Sequence, residues 1–155
     1  MKSIVIKQTP MTAIQNQKQS LNELFETNEV PAMFKHPATS HANWALSTEF
    51  ASQGNQSIRS GEIGDSQQSE LSLSGLFTSG TLNFDAMVIS ESCCDALVVE
   101  VNNEHRLTIV GNQWQTFSII LQTGENTITW RYRKDGSVSE GEDAAWIDNI
   151  QFSSP

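Results

Sequence analysis

Apolar residues beyond position 55 recur at every second residue, in short runs separated by polar segments. Side chains two residues apart lie on the same face of a β-strand, so the alternation predicts strands with one buried face. Four runs show this pattern, with buried positions at Leu82, Phe84, Ala86 and Val88, at Leu97, Val99 and Val101, at Phe117, Ile119 and Leu121, and at Ile128, Trp130 and Tyr132. A further strand is predicted near the chain end, with Trp146, Ile150 and Phe152 on its buried face.

The segments between these runs are rich in residues that favour turns, such as "SGEIGDSQQ", "NNEH" and "QTGEN". Many short strands separated by turn signals indicate an all-β chain that folds as an antiparallel sandwich or barrel. No stretch shows sustained helical periodicity. Residues 11–26 carry several apolar side chains, so a short helix is one interpretation of that segment, although the spacing of these side chains fits one face of a helix poorly.

Length and charge narrow the classes of function. A chain of 155 residues fits one domain and can bury a sizeable core without disulfides or metals. Its net charge of -9 argues against a nucleic-acid surface, which needs clustered Lys and Arg side chains. The apolar runs are far shorter than the roughly 20 residues of a transmembrane helix, so no membrane span is predicted.

The first twenty residues differ from the rest of the chain. They contain Lys2, Lys7 and Lys18 and no acidic residue, whereas residues 21–155 carry six basic and eighteen acidic side chains. We therefore predict a polar, basic N-terminal arm over 1–20 and a β-domain over 21–155. The apolar triplet at residues 4–6 is too short for a signal peptide, which implies either that a leader is missing or that the protein is not exported by that route.

Several longer segments resemble a known family. The segments "FETNEVPAMF", "GNQSIRSGEIGDSQQSELSLSG", "SGTLNFDAMVISESCCDALVVEVNN" and "GENTITWRYRKDGSVSEGEDAAWIDNIQF" are similar to a MAM-like, concanavalin-A-like jelly-roll module of bacterial secreted and surface proteins. The resemblance covers about residues 24–152. It implies a two-sheet antiparallel β-sandwich of the jelly-roll type, an extracellular or cell-surface location, and a non-catalytic role in binding a glycan or a protein surface.

Two features depart from that family. The usual aromatic residue before "D.L" is replaced by Cys94, preceded by Cys93, and adjacent cysteines are too close to form an ordinary disulfide. The module also stands nearly alone instead of within a long multidomain chain. These departures leave open an alternative, a structural component of a virus particle or appendage, assembled as a homo-oligomer or larger complex through its arm.

Asp148 is the most informative polar residue, because its parity with Trp146 and Ile150 predicts burial in the core. A buried carboxylate has to be hydrogen-bonded, paired or bound to a metal. One interpretation is a structural acceptor for backbone N–H groups at the end of a sheet. The other is a structural calcium that Asp148 shares with Glu26, since calcium binds oxygen ligands from separate chain segments.

Tryptophan rings are candidates for stacking on a sugar. Trp130 and Trp146 have the inward parity of their strands and are predicted to lie in the core. Trp44 and Trp114 come near strand starts, so either is a candidate ligand-binding residue, with packing at the core or its rim as the other interpretation.

No catalytic residue is predicted. His36, His41 and His105 do not form an HExxH motif, and the chain contains neither a G-x-S-x-G motif nor a phosphate-binding Walker loop. The acidic loop after Arg133 fails the EF-hand template. We therefore predict a binding or structural protein instead of an enzyme.

Overall fold

The computed structural model of the protein describes residues 20–90, 95–134 and 144–153. The two cysteines, most of the acidic loop after Arg133 and residues 1–19 of the arm lie outside these ranges. The predictions made for those segments therefore stay predictions.

The described residues form eleven β-strands and no helix. The strands are β1 (Ser20–Glu23), β2 (Phe34–Lys35), β3 (Ala45–Ser47), β4 (Ser57–Arg59), β5 (Gln68–Phe77), β6 (Gly80–Ile89), β7 (Ala96–Val101), β8 (Glu104–Ile109), β9 (Gln115–Leu121), β10 (Gly124–Arg133) and β11 (Ala144–Ser153).

The strands make two sheets. One has six strands in the order β3-β4-β11-β6-β9, with β1 also paired to β11, and the other has five in the order β2-β5-β10-β7-β8. Each pairing between these strands is antiparallel. Only β3–β4 and β7–β8 are consecutive strands within one sheet, and elsewhere the chain crosses between the sheets. The predicted two-sheet antiparallel jelly-roll sandwich is confirmed.

The main core lies between the two sheets and is built from the predicted alternation. The inward residues of β6, β7, β9 and β10 all belong to it. Trp130 is fully buried there, and its ring meets the edge of Phe84 at a centroid distance of 5.6 Å. Phe77 and Phe152 make a second edge-to-face pair between the sheets at 5.0 Å.

The predicted parity of the last strand is wrong. Ile150 and Phe152 do lie in the main core, but Trp146 packs on the other side of the sheet with Met87. In the pairing of β11 with β6, three residue steps from Asp148 to Gln151 match only two on β6. This β-bulge inserts one extra residue and so reverses the alternation within the strand. Trp146 and Asp148 therefore face outward from the sheet, although both are fully buried.

The loop 48–56 covers that outward side. Phe50 stands edge-on to Trp146 at a centroid distance of 5.0 Å, and the guanidinium of Arg59 lies 5.4 Å from the same ring. Trp146 thus belongs to a small second cluster beneath this loop. The sequence predicted that Trp146 is buried, but it did not show that the ring belongs to this second cluster and not to the main core.

The helix considered for residues 11–26 is also wrong over the described part of that segment. Residues 20–23 form β1 and pair with the end of β11. Leu21 and Phe25 enter the main core from this strand and the turn after it. Pairing to β11 gives the backbone of this short segment hydrogen-bond partners that an isolated helical turn would lack.

Candidate functional site

The outer side of the five-stranded sheet is polar, and most of its polar side chains lie on three neighbouring strands. Residues that alternate with the core positions of β5, β10 and β7 point outward here. We call this surface the polar face, and its polar side chains are Gln68, Glu70, Ser72, Ser74, Glu100, Glu125, Thr127, Thr129, Arg131 and Arg133.

Three charged residues meet at the centre of the polar face. Arg131 donates two parallel hydrogen bonds to the carboxylate of Glu100, both at 3.0 Å, and its Nε donates to Glu70 at 2.9 Å. Glu70 lies directly opposite Arg131 in the pairing of β10 with β5. The planar guanidinium suits this fork-like geometry, and the three side chains together carry one net negative charge.

The ion pair shifts the ionisation of both partners. Hydrogen bonding to Arg131 lowers the pKa of Glu100, against the smaller opposing effect of burial. Hydrogen bonding to Glu100 likewise raises the pKa of Arg131. Both side chains therefore stay ionised throughout the neutral range. A guanidinium has five N–H donors, and two of those on Arg131 have no partner among the described residues.

Hydroxyl and amide groups continue the polar face along the same strands. The hydroxyls of Ser74 and Thr127 are 2.8 Å apart, and the side-chain oxygen of Asn102 accepts the Thr127 backbone N–H at 2.9 Å. Such groups can both donate and accept hydrogen bonds. The surface therefore offers charge-assisted and neutral hydrogen bonds side by side.

One wall of the polar face is formed by residues 36–43, which connect β2 to β3. We call this segment the strap. The Thr39 hydroxyl donates to the Glu70 carboxylate, and the Glu70 backbone N–H donates to the Ser40 hydroxyl at 2.8 Å. Glu70 is only 2% exposed as a result, whereas Arg131 beside it stays half-buried. The strap thus fixes the position of one carboxylate of the charged centre.

No aromatic side chain lies on the polar face. The seven Phe, four Trp and one Tyr all pack in the main core or in the small cluster under loop 48–56. Flat stacking on a sugar ring is therefore not available on this surface, and recognition there has to use hydrogen bonds.

The two tryptophans predicted to bind a ligand pack in different clusters of the fold. Trp44 is 2% exposed and packs in the main core, so it offers no ring face for stacking. Trp114 is half-buried against the Met87–Trp146 cluster on the outer side of the other sheet. It is the one tryptophan that retains exposed surface, and its role in binding stays a prediction.

Glu26 and Asp148, the predicted calcium ligands, both accept hydrogen bonds from the backbone of loop 48–56. Asp148 Oδ2 accepts the backbone N–H groups of Ser52 and Gln53 at 2.9 and 3.0 Å. Glu26 Oε2 accepts those of Asn55 and Gln56 at 3.0 and 2.7 Å. These are the contacts expected of structural hydrogen-bond acceptors.

Gly54 lies between these two attachment points. Its φ of +69° is in the left-handed region, and an added Cβ would approach the Glu26 carboxyl carbon to 2.8 Å. The close approach of the loop to Glu26 therefore depends on a residue without a side chain.

The arrangement of the two carboxylates does not present a ready set of calcium ligands. Calcium takes six to eight oxygen donors, whereas these oxygens face N–H donors. Within the described ranges, no three Asp, Glu, His or Cys side chains come close enough to hold a metal ion. A calcium shared by Glu26 and Asp148 stays a prediction that needs a solution test.

Asp148 has a second carboxylate beside it. Asp85 is its direct partner across β6 and β11, and the Ser52 hydroxyl donates to Asp85 at 2.7 Å while lying 3.4 Å from Asp148. Burial raises the pKa of Asp148 to about 6, against the opposing effect of the backbone N–H groups that it accepts. Ionising Asp148 therefore costs more free energy in the folded protein than in the unfolded chain.

The charged centre of the polar face was not predicted from the sequence. Glu70, Glu100 and Arg131 are separated by about thirty residues each, and no motif joins them. The available signal was their place at outward positions in the same alternation that identified the core. Only the strand order brings the three side chains together.

Comparison with known proteins gives the fold. No protein-family model and no curated protein matches the chain. Among solved structures, a cleaved adhesin domain of Lys-gingipain from Porphyromonas gingivalis superposes with a TM-score of 0.64 at 16% identity, covering 88% of this chain and 99% of that one. The CBM22-1 xylan-binding domain of Paenibacillus barcinonensis Xyn10C gives 0.56 at 14% identity, covering 85% and 91%.

A third structure, the secreted serine protease VesC from Vibrio cholerae, gives a TM-score of 0.58 at 18% identity. The match covers 74% of this chain but only 25% of VesC. At these identities the likeness establishes a shared β-sandwich fold. The chain is therefore similar to β-sandwich modules of bacterial proteins, while the narrower MAM-like label remains a prediction. No helix in the described residues has the length and apolar character needed to cross a bilayer.

Proposed function

We propose that the chain is a non-catalytic recognition module that binds a glycan through the polar face. The observation that carries this proposal is the charged centre. Arg131 donates hydrogen bonds to Glu70 and Glu100 there, and two of its N–H donors have no partner among the described residues. Sugars present dense hydroxyl groups, and ionised side chains make stronger hydrogen bonds to such groups than neutral ones do.

The rigidity of the site supports this function. Three strands and the strap hold the charged side chains before any ligand arrives, so little side-chain freedom is lost on binding. The neighbouring hydroxyls of Ser74 and Thr127 extend the polar face along the strand direction. An elongated sugar chain can therefore bridge several hydrogen-bonding groups.

The names of similar structures agree with a binding role. One is an adhesin domain and another is described as xylan-binding, and we carry recognition of a glycan or protein surface to this chain as a proposal. The same reasoning supports an extracellular or cell-surface location. The alternative role in a virus particle rests on the arm, residues 1–19 of which lie outside the described ranges.

Affinity electrophoresis tests the proposal. The full chain is run through gels that contain soluble xylan, galactan or no polysaccharide, and retardation by at least one glycan is expected. Arg131→Lys keeps the charge but loses the guanidinium fork, and it should weaken retention by about tenfold, the effect of one charge-assisted hydrogen bond.

The matched control is Arg106→Lys, because Arg106 pairs with Glu104 away from the charged centre. It should bind as the native chain does. Melting temperatures of both variants show whether the fold is intact. Equal retention of the two variants would remove the polar face from the proposal, and no retention in any glycan gel would contradict glycan binding itself.

A further inference from the structure

The strap is fixed at both ends by aromatic residues of the core. Phe34 precedes it in β2 and Trp44 follows it, and both rings are buried between the sheets. Residues 36–43 of the strap form the wall beside Glu70. Because the ends are anchored, any movement of the strap has to occur in its middle.

The middle of the strap is attached to β5 by backbone and side-chain hydrogen bonds. The His41 backbone N–H donates to the Gln68 carbonyl at 2.8 Å, and the Gln68 side-chain amide donates to the Thr39 carbonyl at 3.2 Å. Together with the contacts of Thr39 and Ser40 to Glu70, these bonds couple the strap to the charged centre.

Two histidines complete this attachment as hydrogen-bond acceptors. His36 Nε2 accepts the backbone N–H of Trp44 at 3.0 Å, which closes the base of the strap. His41 Nδ1 accepts the backbone N–H of Gln68 at 3.0 Å. An imidazole nitrogen accepts a hydrogen bond only while it carries no proton, so both contacts require a neutral ring.

Protonation has different consequences at the two rings. The Gln68 carbonyl lies 3.3 Å from His41 Nδ1, so a protonated His41 can turn from acceptor to donor without leaving its neighbour. His36 has no such alternative acceptor among its described contacts, and its protonated Nε2 would face the Trp44 N–H. His36 is therefore the decisive group.

The surroundings of His36 favour its neutral form. Burial lowers the pKa of His36 below its usual 6.5, and only the hydrogen bond from Trp44 opposes this. The adjoining elements carry the charged groups Lys35 on β2, Glu70 on β5 and Arg131 on β10, and no hydrogen bond joins any of them to His36 in the described structure. The neutral ring stabilises the strap above about pH 6.5, and this contribution is lost as the pH falls through the lowered pKa.

We propose that the strap is a pH-sensitive wall of the glycan site, released in mildly acidic conditions when His36 takes up a proton and gives up the Trp44 N–H. Release of the strap withdraws Thr39 and Ser40 from Glu70, so the charged centre loses its fixed geometry. Ligand affinity then falls with pH. This regulation of binding rests on the proposed function, whereas release of the strap itself does not.

Hydrogen exchange of the backbone amides tests the release directly. Protection factors of the Trp44 and Gln68 amides are measured in the full chain at pH 7.5 and pH 5.0, each relative to the intrinsic exchange rate at that pH. The Trp44 amide should lose about fivefold in protection at pH 5.0, the effect of one hydrogen bond.

Two variants make the test specific. His36→Gln places a non-titrating amide oxygen within reach of the Trp44 N–H, and it should abolish the pH dependence at that amide. His105→Gln is the matched control for amide protection, because His105 lies on β8, where it hydrogen-bonds to the Thr108 hydroxyl and stands opposite Glu100 of β7, and it should keep the native pH dependence at the Trp44 amide. Asp148 also titrates near pH 6, but it lies on the other sheet and is unchanged in both variants.

Affinity for soluble xylan and galactan is then measured at the same two pH values. Weaker binding at pH 5.0 in the native chain but not in His36→Gln supports regulation of the site by the strap. Unchanged Trp44 protection, or the same loss of protection in His36→Gln, overturns the proposal. A loss of protection confined to the native chain and His105→Gln, without binding of xylan or of galactan at either pH, sustains strap release and counts against the glycan site instead.

Discussion

Replacing Asp148 by Asn should destabilise the protein most at low pH and least at neutral pH. In the native chain Oδ2 accepts two backbone N–H groups of loop 48–56, and Oδ1 accepts the N–H of Asn149 at 2.8 Å. An asparagine keeps one oxygen for the loop but turns an NH₂ group toward Asn149. One hydrogen bond is lost and two donors face each other, at a cost of about 1–3 kcal/mol in the free energy of unfolding.

The pH dependence follows from the raised pKa of Asp148. The pKa is about 6 in the folded protein against 3.8 as the reference value, so the folded state binds the proton more tightly than the unfolded state. The resulting stabilisation is complete below about pH 3.8 and is lost as the pH rises through about 6. Two pKa units correspond to at most about 3 kcal/mol.

The assay is urea unfolding followed by tryptophan fluorescence at pH 4.5, 5.5, 6.5 and 7.5, for the native chain and for Asp148→Asn. The difference in unfolding free energy should shrink as the pH rises. Glu125→Gln removes a carboxylate from an exposed position of β10 and corrects for the change in net charge.

A difference that grows with pH would refute this reasoning, because it would mean that the ionised carboxylate stabilises the fold. A bound calcium would have that effect, since it favours the ionised ligand. Repeating the series with added calcium and with EDTA separates the two interpretations. Identical curves leave Asp148 as a hydrogen-bond acceptor, whereas a chelator-sensitive native curve and an insensitive Asp148→Asn curve support the predicted metal site.

Two further predictions concern the core and the arm. Trp130→Ala removes a fully buried ring that packs against Phe84, and it should cost about 3–5 kcal/mol in unfolding free energy and lower the melting temperature by at least about 6 °C. Trp114→Ala, at a half-buried position, should cost less. Equal losses of stability in the two variants would contradict the core assignment. Deleting residues 1–19, which leaves β1 complete, should preserve the fold but weaken self-association measured by light scattering, and identical particle sizes would remove the assembly role of the arm.

The strand alternation predicted most of the fold because burial of one face is a local property of each strand. The inward positions of β6, β7, β9 and β10 could be read without knowing which strands are neighbours. The β-bulge in β11 reverses the alternation within the strand, so the same rule placed Trp146 on the wrong face of the sheet. It depends on a left-handed Asn149, with φ of 52°, and on a register with β6 that no spacing within β11 reveals.

The candidate site was less predictable because it depends on strand order. Glu70, Glu100 and Arg131 lie on three strands whose adjacency is set by the crossings between the sheets. Trp44 shows a different limit. Its position near a strand start left both ligand binding and packing at the core open, and the structure shows that the strap closes back on β5 and the ring packs in the core. Residue type suggested Trp44 but not the charged centre, and only the topology showed which of the two lies at the surface.

The chemistry of the polar face limits the kind of recognition that it can perform. Without an aromatic floor, a sugar gains little from burial of its apolar ring faces, so its affinity has to come from hydrogen bonds that compete with water and contribute about 1 kcal/mol each. Such a surface binds weakly unless its groups are held in place beforehand. The two hydrogen bonds between Arg131 and Glu100, and the hydrogen bond from the strap to Glu70, hold these groups in place. The parts of the molecule that hold the charged centre rigid should therefore control affinity as strongly as the groups that touch the ligand.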